Sequence, residues 1–97
     1  MENEFLKLVN KEGIKNGTCV YGSIEYEVKI VKWHNFYGTG DYEDFEEIRE
    51  DRAVECYYVF YEDLANKGSF NSGGGCFLTI QEAIMSIESN VNVKWSN

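Results

Sequence analysis

Ile24-Glu-Tyr-Glu-Val-Lys-Ile-Val-Lys-Trp33 is the stretch on which the fold turns. Ile24, Tyr26, Val28 and Ile30 fall on one side of an extended chain, and Glu25, Glu27, Lys29, Val31 and Trp33 on the other. That period of two predicts a β-strand. A second such stretch is Ala53-Val-Glu-Cys-Tyr-Tyr-Val-Phe-Tyr61, where Val54, Cys56, Tyr58 and Phe60 alternate with Glu55, Tyr57, Val59 and Tyr61. Apart from Glu55 both of its faces are apolar, the pattern of a strand inside a sheet rather than at its border.

On the N-terminal side, Thr18-Cys-Val-Tyr21 reads as a partner strand, with Asn16-Gly17 suited to a tight hairpin turn and Gly22 to a break or bulge. Asn3 can cap a first helix, because Phe5, Leu8, Val9 and Glu12 recur at helical spacing, Leu6 widens the stripe, and Gly13 marks a stop. On the C-terminal side, Glu62 to Gly75 reads as an exposed connection, since Asn66-Lys-Gly68 and Asn71-Ser-Gly-Gly-Gly75 supply turn residues. Cys76-Phe-Leu78 then returns the chain. Thr79-Ile-Gln-Glu82 is a capping box opening a helix to about Ser89, with Ile80, Ala83, Ile84 and Ile87 inward and Met85 at the border. Val91, Val93 and Trp95 alternate with Asn92 and Lys94, which predicts a short last strand. The expected fold class is α+β: a small antiparallel or mixed sheet of four to five strands with helices packed on one face, in a single domain over residues 1–97.

Ninety-seven residues, 43% of them hydrophobic and including seven Tyr, six Phe and two Trp, suffice for one packed core. A net charge of −8 repels phosphate backbones and anionic lipid heads, so no direct nucleic-acid or membrane contact is expected. No run reaches the roughly 18 apolar residues of a membrane span, and Met1-Glu-Asn-Glu lacks the basic start and apolar core of a signal peptide. The expected location is the cytoplasm. Cys19, Cys56 and Cys76 are odd in number and far apart, which fits reduced thiols rather than a disulfide framework or a zinc site.

The charge is concentrated. From Asp41 to Asp51 seven acids (Asp41, Glu43, Asp44, Glu46, Glu47, Glu50 and Asp51) face one base, Arg49, a local net of −6. Tyr42, Phe45 and Ile48 recur every three residues within it, which suits a short helix with a thin apolar stripe, an edge strand being the rival. Calcium is not expected, because the EF-hand spacing is absent and Phe45 and Ile48 interrupt the carboxylates.

Catalysis is not expected either. His34 is the only base of its kind, and no nucleophile stands at a diagnostic spacing from it. No cofactor is implied, because the Gly73-Gly74-Gly75 run has neither the lysine nor the element order of a phosphate loop. The expected function is a non-catalytic acidic binding protein that docks on a basic surface of a partner protein, such as a nucleic-acid-binding enzyme, and inhibits it. Asp41, Tyr42, Glu43, Asp44, Phe45, Glu46, Glu47, Glu50 and Asp51 form the expected contact, aromatic anchors within a charged rim. Immunity proteins, anti-CRISPR inhibitors and nucleic-acid mimics of phages and bacteria use this principle, an analogy of charge and size and not of sequence. The alternative is a domain that binds or sequesters a small molecule or nucleotide between the aromatic sheet and the glycine run, with Lys67 as the basic group nearest to it.

Overall fold

The structure, a computed structural model, describes residues 4–37 and 51–96, with side chains from residue 6 onward except those of 71–73. Its elements are α1 (Glu4–Asn10), β1 (Lys15–Tyr21), β2 (Ile24–Trp33), β3 (Cys56–Asp63), β4 (Asn66–Phe77), α2 (Ile80–Asn90) and β5 (Asn92–Trp95). The strands hydrogen-bond in the order β4-β3-β2-β1-β5, each pair antiparallel. The protein is therefore α+β and dominated by its antiparallel sheet. A bridge between Phe36 and Arg52 adds a pairing outside these strands, so the expected count of four to five understates the sheet.

The alternation of β2 and β3 builds two cores, one on each face. Val28 and Ile30 of β2 and Val59 of β3 point to the side where Ala83 and Ile87 of α2 are fully buried. Val31, Trp33, Cys56, Tyr58 and Phe60 point to the other, where Leu8 of α1 is fully buried. Helices on one face only, as expected from sequence, is thus corrected. A sheet apolar on both sides must be covered on both sides, and each helix provides one cover.

Two turns lie elsewhere than expected. Asn16 and Gly17 are inside β1, paired with Lys29 and Val28, and the hairpin turns at Gly22-Ser23, where Gly22 has φ +63°. Gly17 is needed in the strand because β5 crosses beside it. An added Cβ would stand 2.9 Å from Val93 Cγ2 and 3.0 Å from Trp95 Cε3. The supposed connection from Glu62 to Gly75 is mostly strand: β3 continues to Asp63, Leu64-Ala65 make the turn, and β4 begins at Asn66. Tyr58 pairs with Cys76 and Phe60 with Ser72, so the chain around the glycines bulges opposite Val59. Gly74 passes so near that residue that a Cβ would overlap the Val59 side chain and come 2.8 Å from its carbonyl oxygen. The glycines serve close backbone approach, which composition alone reads as a loop.

Two polar devices fix the ends of the layers. The Thr79 half of the capping box forms as the sequence predicts: Thr79 Oγ1 accepts from the Glu82 N–H at 3.2 Å, and the hydroxyl donates to Glu82 Oε1 at 3.0 Å. On the α1 side, Lys29 is a buried cation whose Nζ donates to Val9 O at 2.7 Å and to Lys11 O at 2.9 Å. It lies 4.5 Å from the centre of the Phe70 ring. A cation at the carbonyl end of α1 satisfies acceptors that the helix cannot satisfy itself.

The three cysteines are free thiols, Cys19 and Cys56 buried and Cys76 half-buried. Burial pushes all three thiols up, Cys76 to about 12. Little thiolate exists at pH 8, so a thiol reagent is expected to label the native protein slowly and all three positions rapidly in denaturant. Rapid labelling of the native protein, read by mass spectrometry, would contradict this burial.

Candidate functional site

Two places in the fold gather functional chemistry. The first is where β2 hands over to the acidic block. Phe36 and Arg52 exchange two backbone hydrogen bonds of 2.8 Å each, and the Arg52 guanidinium lies 5.6 Å from the centre of the Phe36 ring. This clamp stands at both ends of the segment that contains the acid. Of the expected contact residues, Asp51 is described and exposed; Asp41, Tyr42, Glu43, Asp44, Phe45, Glu46, Glu47 and Glu50 lie outside the described residues, and so does the choice between helix and edge strand. Beside the clamp, Lys32 pairs with Glu55, and the exposed His34 ring rests on Trp33 with centroids 4.4 Å apart. Cys56 Sγ donates to Asn35 O at 3.4 Å. Among the described residues no three His, Cys, Asp or Glu side chains are grouped to hold a metal, and no helix is long and apolar enough to cross a membrane.

The second place lies on the α2 face, towards the Gly22-Ser23 and Leu64-Ala65 turns. A cleft of about 530 Å³ opens there between the sheet and the C-terminal half of α2. Tyr21, Tyr26 and Tyr61 supply aromatic walls, Leu64 and Val91 aliphatic ones, and Glu62, Ser86 and Asn90 the polar groups, with the Gly74 backbone in the lining. Tyr26 and Tyr61 come from the paired strands β2 and β3, with ring centroids 6.2 Å apart and planes tilted by 59°. Tyr21 ends β1 and is 70% exposed.

Glu62 is the charged group of this lining. Its carboxylate accepts the Gly68 N–H at 2.8 Å and the Glu27 N–H at 3.1 Å, with Lys67 Nζ 3.7 Å away. The two N–H bonds and Lys67 hold it below the usual carboxylate range. Lys67 also donates to Glu25 O at 2.7 Å. The basic group that an anionic ligand would need is therefore turned to acceptors of the protein itself.

The cleft places the Gly74 backbone beside the tyrosines of the sheet, together with Glu62 and the end of α2. Tyr21 and Glu62 carried a signal: Tyr21 flanks the Gly22-Ser23 turn, and Glu62 with Asp63 closes the otherwise apolar β3. Comparison with protein-family models, curated proteins and solved structures gives no match, so the site rests on its own residues.

Proposed function

We propose that this chain is a non-catalytic cytoplasmic binding protein that docks the acid between Asp41 and Asp51 onto a basic surface of a partner protein, as an inhibitor does. The observation that carries this reading is the local net charge of −6 in eleven residues out of −8 for the chain, interleaved with Tyr42 and Phe45. Such a block occupies Lys and Arg sites, speeds encounter and makes association sensitive to salt. The clamp of Phe36 and Arg52 supports it, because a segment tied at both ends loses less freedom on binding than a free tail. Free thiols suit a reducing compartment.

The experiment compares wild type with the combined variant Glu43→Gln, Asp44→Asn, Glu46→Gln and Glu47→Gln on a basic partner retained at low salt and released at high salt. The variant is expected to associate roughly tenfold or more slowly, with a flatter salt dependence and unchanged circular dichroism. Equal association rates and equal salt slopes would show the block to be a solvated face only.

A further inference from the structure

The tyrosine cleft has an electrostatic character of its own. Three tyrosines line it, and the face of an aromatic ring carries the negative part of its quadrupole. Its one charged lining residue among those described is Glu62, an anion fixed by two backbone N–H groups. A third contribution comes from α2, whose carbonyl end at Ser86, Asn90 and Val91 forms the remaining wall. The last turn of α2 carries Glu88 and no basic residue, and Val91 N–H caps the Ile87 carbonyl. Asn90 Nδ2 donates back to Ser86 O at 2.8 Å and satisfies one of these carbonyls, leaving the sign of the helix end unchanged.

Size and sign together select the occupant. The volume lies within the range of small-ligand pockets, which are mostly apolar with a few placed polar groups. Anions are repelled by Glu62 and by the net charge of the chain. A neutral apolar ligand would gain from the rings and nothing from the carboxylate or the helix end. Tilted tyrosines beside a carboxylate are the chemistry that holds an alkylated ammonium group. We propose that this cleft binds a small organic cation, an ammonium or alkylammonium group on an apolar body. The head sits among Tyr21, Tyr26, Tyr61 and the carbonyl end of α2, and the body lies along Leu64 and Val91.

Lys67 gives the inference a sharp test, because it is the competing cation on Glu62 while its own side chain is largely exposed. The full-length protein is titrated with benzyltrimethylammonium, with its neutral carbon isostere and with benzoate, followed by amide and tyrosine NMR shifts. Benzyltrimethylammonium is expected to saturate shifts in Tyr21, Tyr61 and Val91, to bind about tenfold or more tightly than the isostere, and to leave benzoate without effect. Lys67→Met is expected to strengthen cation binding severalfold and leave the isostere unchanged. Tyr21→Ala, at an exposed position that the fold does not need, is expected to weaken it severalfold with the remaining amide spectrum retained. Equal binding of cation and isostere, shifts that map elsewhere, no saturation, or indifference to both substitutions would each overturn the proposal.

Discussion

Replacing Ile87 with Asp is expected to leave a chain with no cooperative thermal transition. Ile87 has no solvent exposure and packs in the cluster of Cys19, Val28, Ile30, Val59 and Ala83. The substitution removes about 1.5–3 kcal/mol of apolar burial. It also places a carboxylate where no cation is at hand, a cost of several kcal/mol even if the group takes up a proton. Set against the roughly 5–15 kcal/mol that holds an ordinary domain together, the sum reaches unfolding. Met85→Asp on the same helix is the control, because Met85 is 66% exposed and its change should stay within about 0.5 kcal/mol. Circular dichroism melts of the two variants decide it. A wild-type transition in Ile87→Asp would mean that α2 turns another face to the sheet.

The second large effect is expected at Lys29, where two terms oppose each other. Lys29→Met removes the cost of keeping an ammonium group out of water, but it also removes the donor to the carbonyl oxygens of Val9 and Lys11. A carbonyl left without a partner costs about 1–3 kcal/mol where it is shielded from water, which bears on half-buried Val9 more than on exposed Lys11. The carbonyl term wins, and a net loss of about 2 kcal/mol in urea unfolding is expected. Stability equal to or above wild type would show that desolvation dominates. The pH dependence separates the terms further. Burial lowers the Lys29 pKa in the folded protein, so between that value and the unfolded value the unfolded chain binds more protons. Wild-type stability from this group is therefore present above the unfolded pKa and lost as pH falls through the folded one. The deficit of Lys29→Met should widen as pH rises into that window. The difference between the two proteins isolates Lys29 from the tyrosines, whose raised pKa values act in the opposite direction in both.

What was legible in the sequence is what a local pattern specifies. The period of two in Ile24–Trp33 and Ala53–Tyr61 placed β2 and β3, the latter starting at Cys56, and the Thr79–Glu82 capping box placed the start of α2. Leu8 and Ala83 were rightly assigned inward, but Ile84 is only partly buried where Ile87 is fully so. What was not legible depends on contacts across the sheet. Gly17 and Gly74 look like turn residues until the neighbouring Val93, Trp95 and Val59 are in place, and glycine in a strand for clearance has the same letter as glycine in a turn. Helices on both faces could have been inferred, because Val31 and Trp33 on the second face of β2 already required a cover. Of the candidate sites, the tyrosines of the cleft were visible as an aromatic excess. The carbonyl end of α2 and the fixed carboxylate of Glu62 became part of a site only through the fold.

The strand order also distributes loop-closure entropy unevenly. β1 to β4 pair as successive hairpins, each joining neighbours in sequence, whereas β5 reaches back to β1 across most of the chain. The β1–β2 and β3–β4 hairpins close two-residue turns, whereas the β2–β3 pairing closes residues 34–55 and the β1–β5 pairing a longer loop still. That burden falls on four residues, Asn92 to Trp95, which also anchor the end of α2. Releasing this C-terminal unit would break one short ladder and also uncover the sheet face that Ala83 and Ile87 bury, so β5 and α2 hold that face together. Because α2 also forms a wall of the tyrosine cleft, binding in the cleft and docking of the C-terminal unit on the sheet are linked equilibria, each favouring the other.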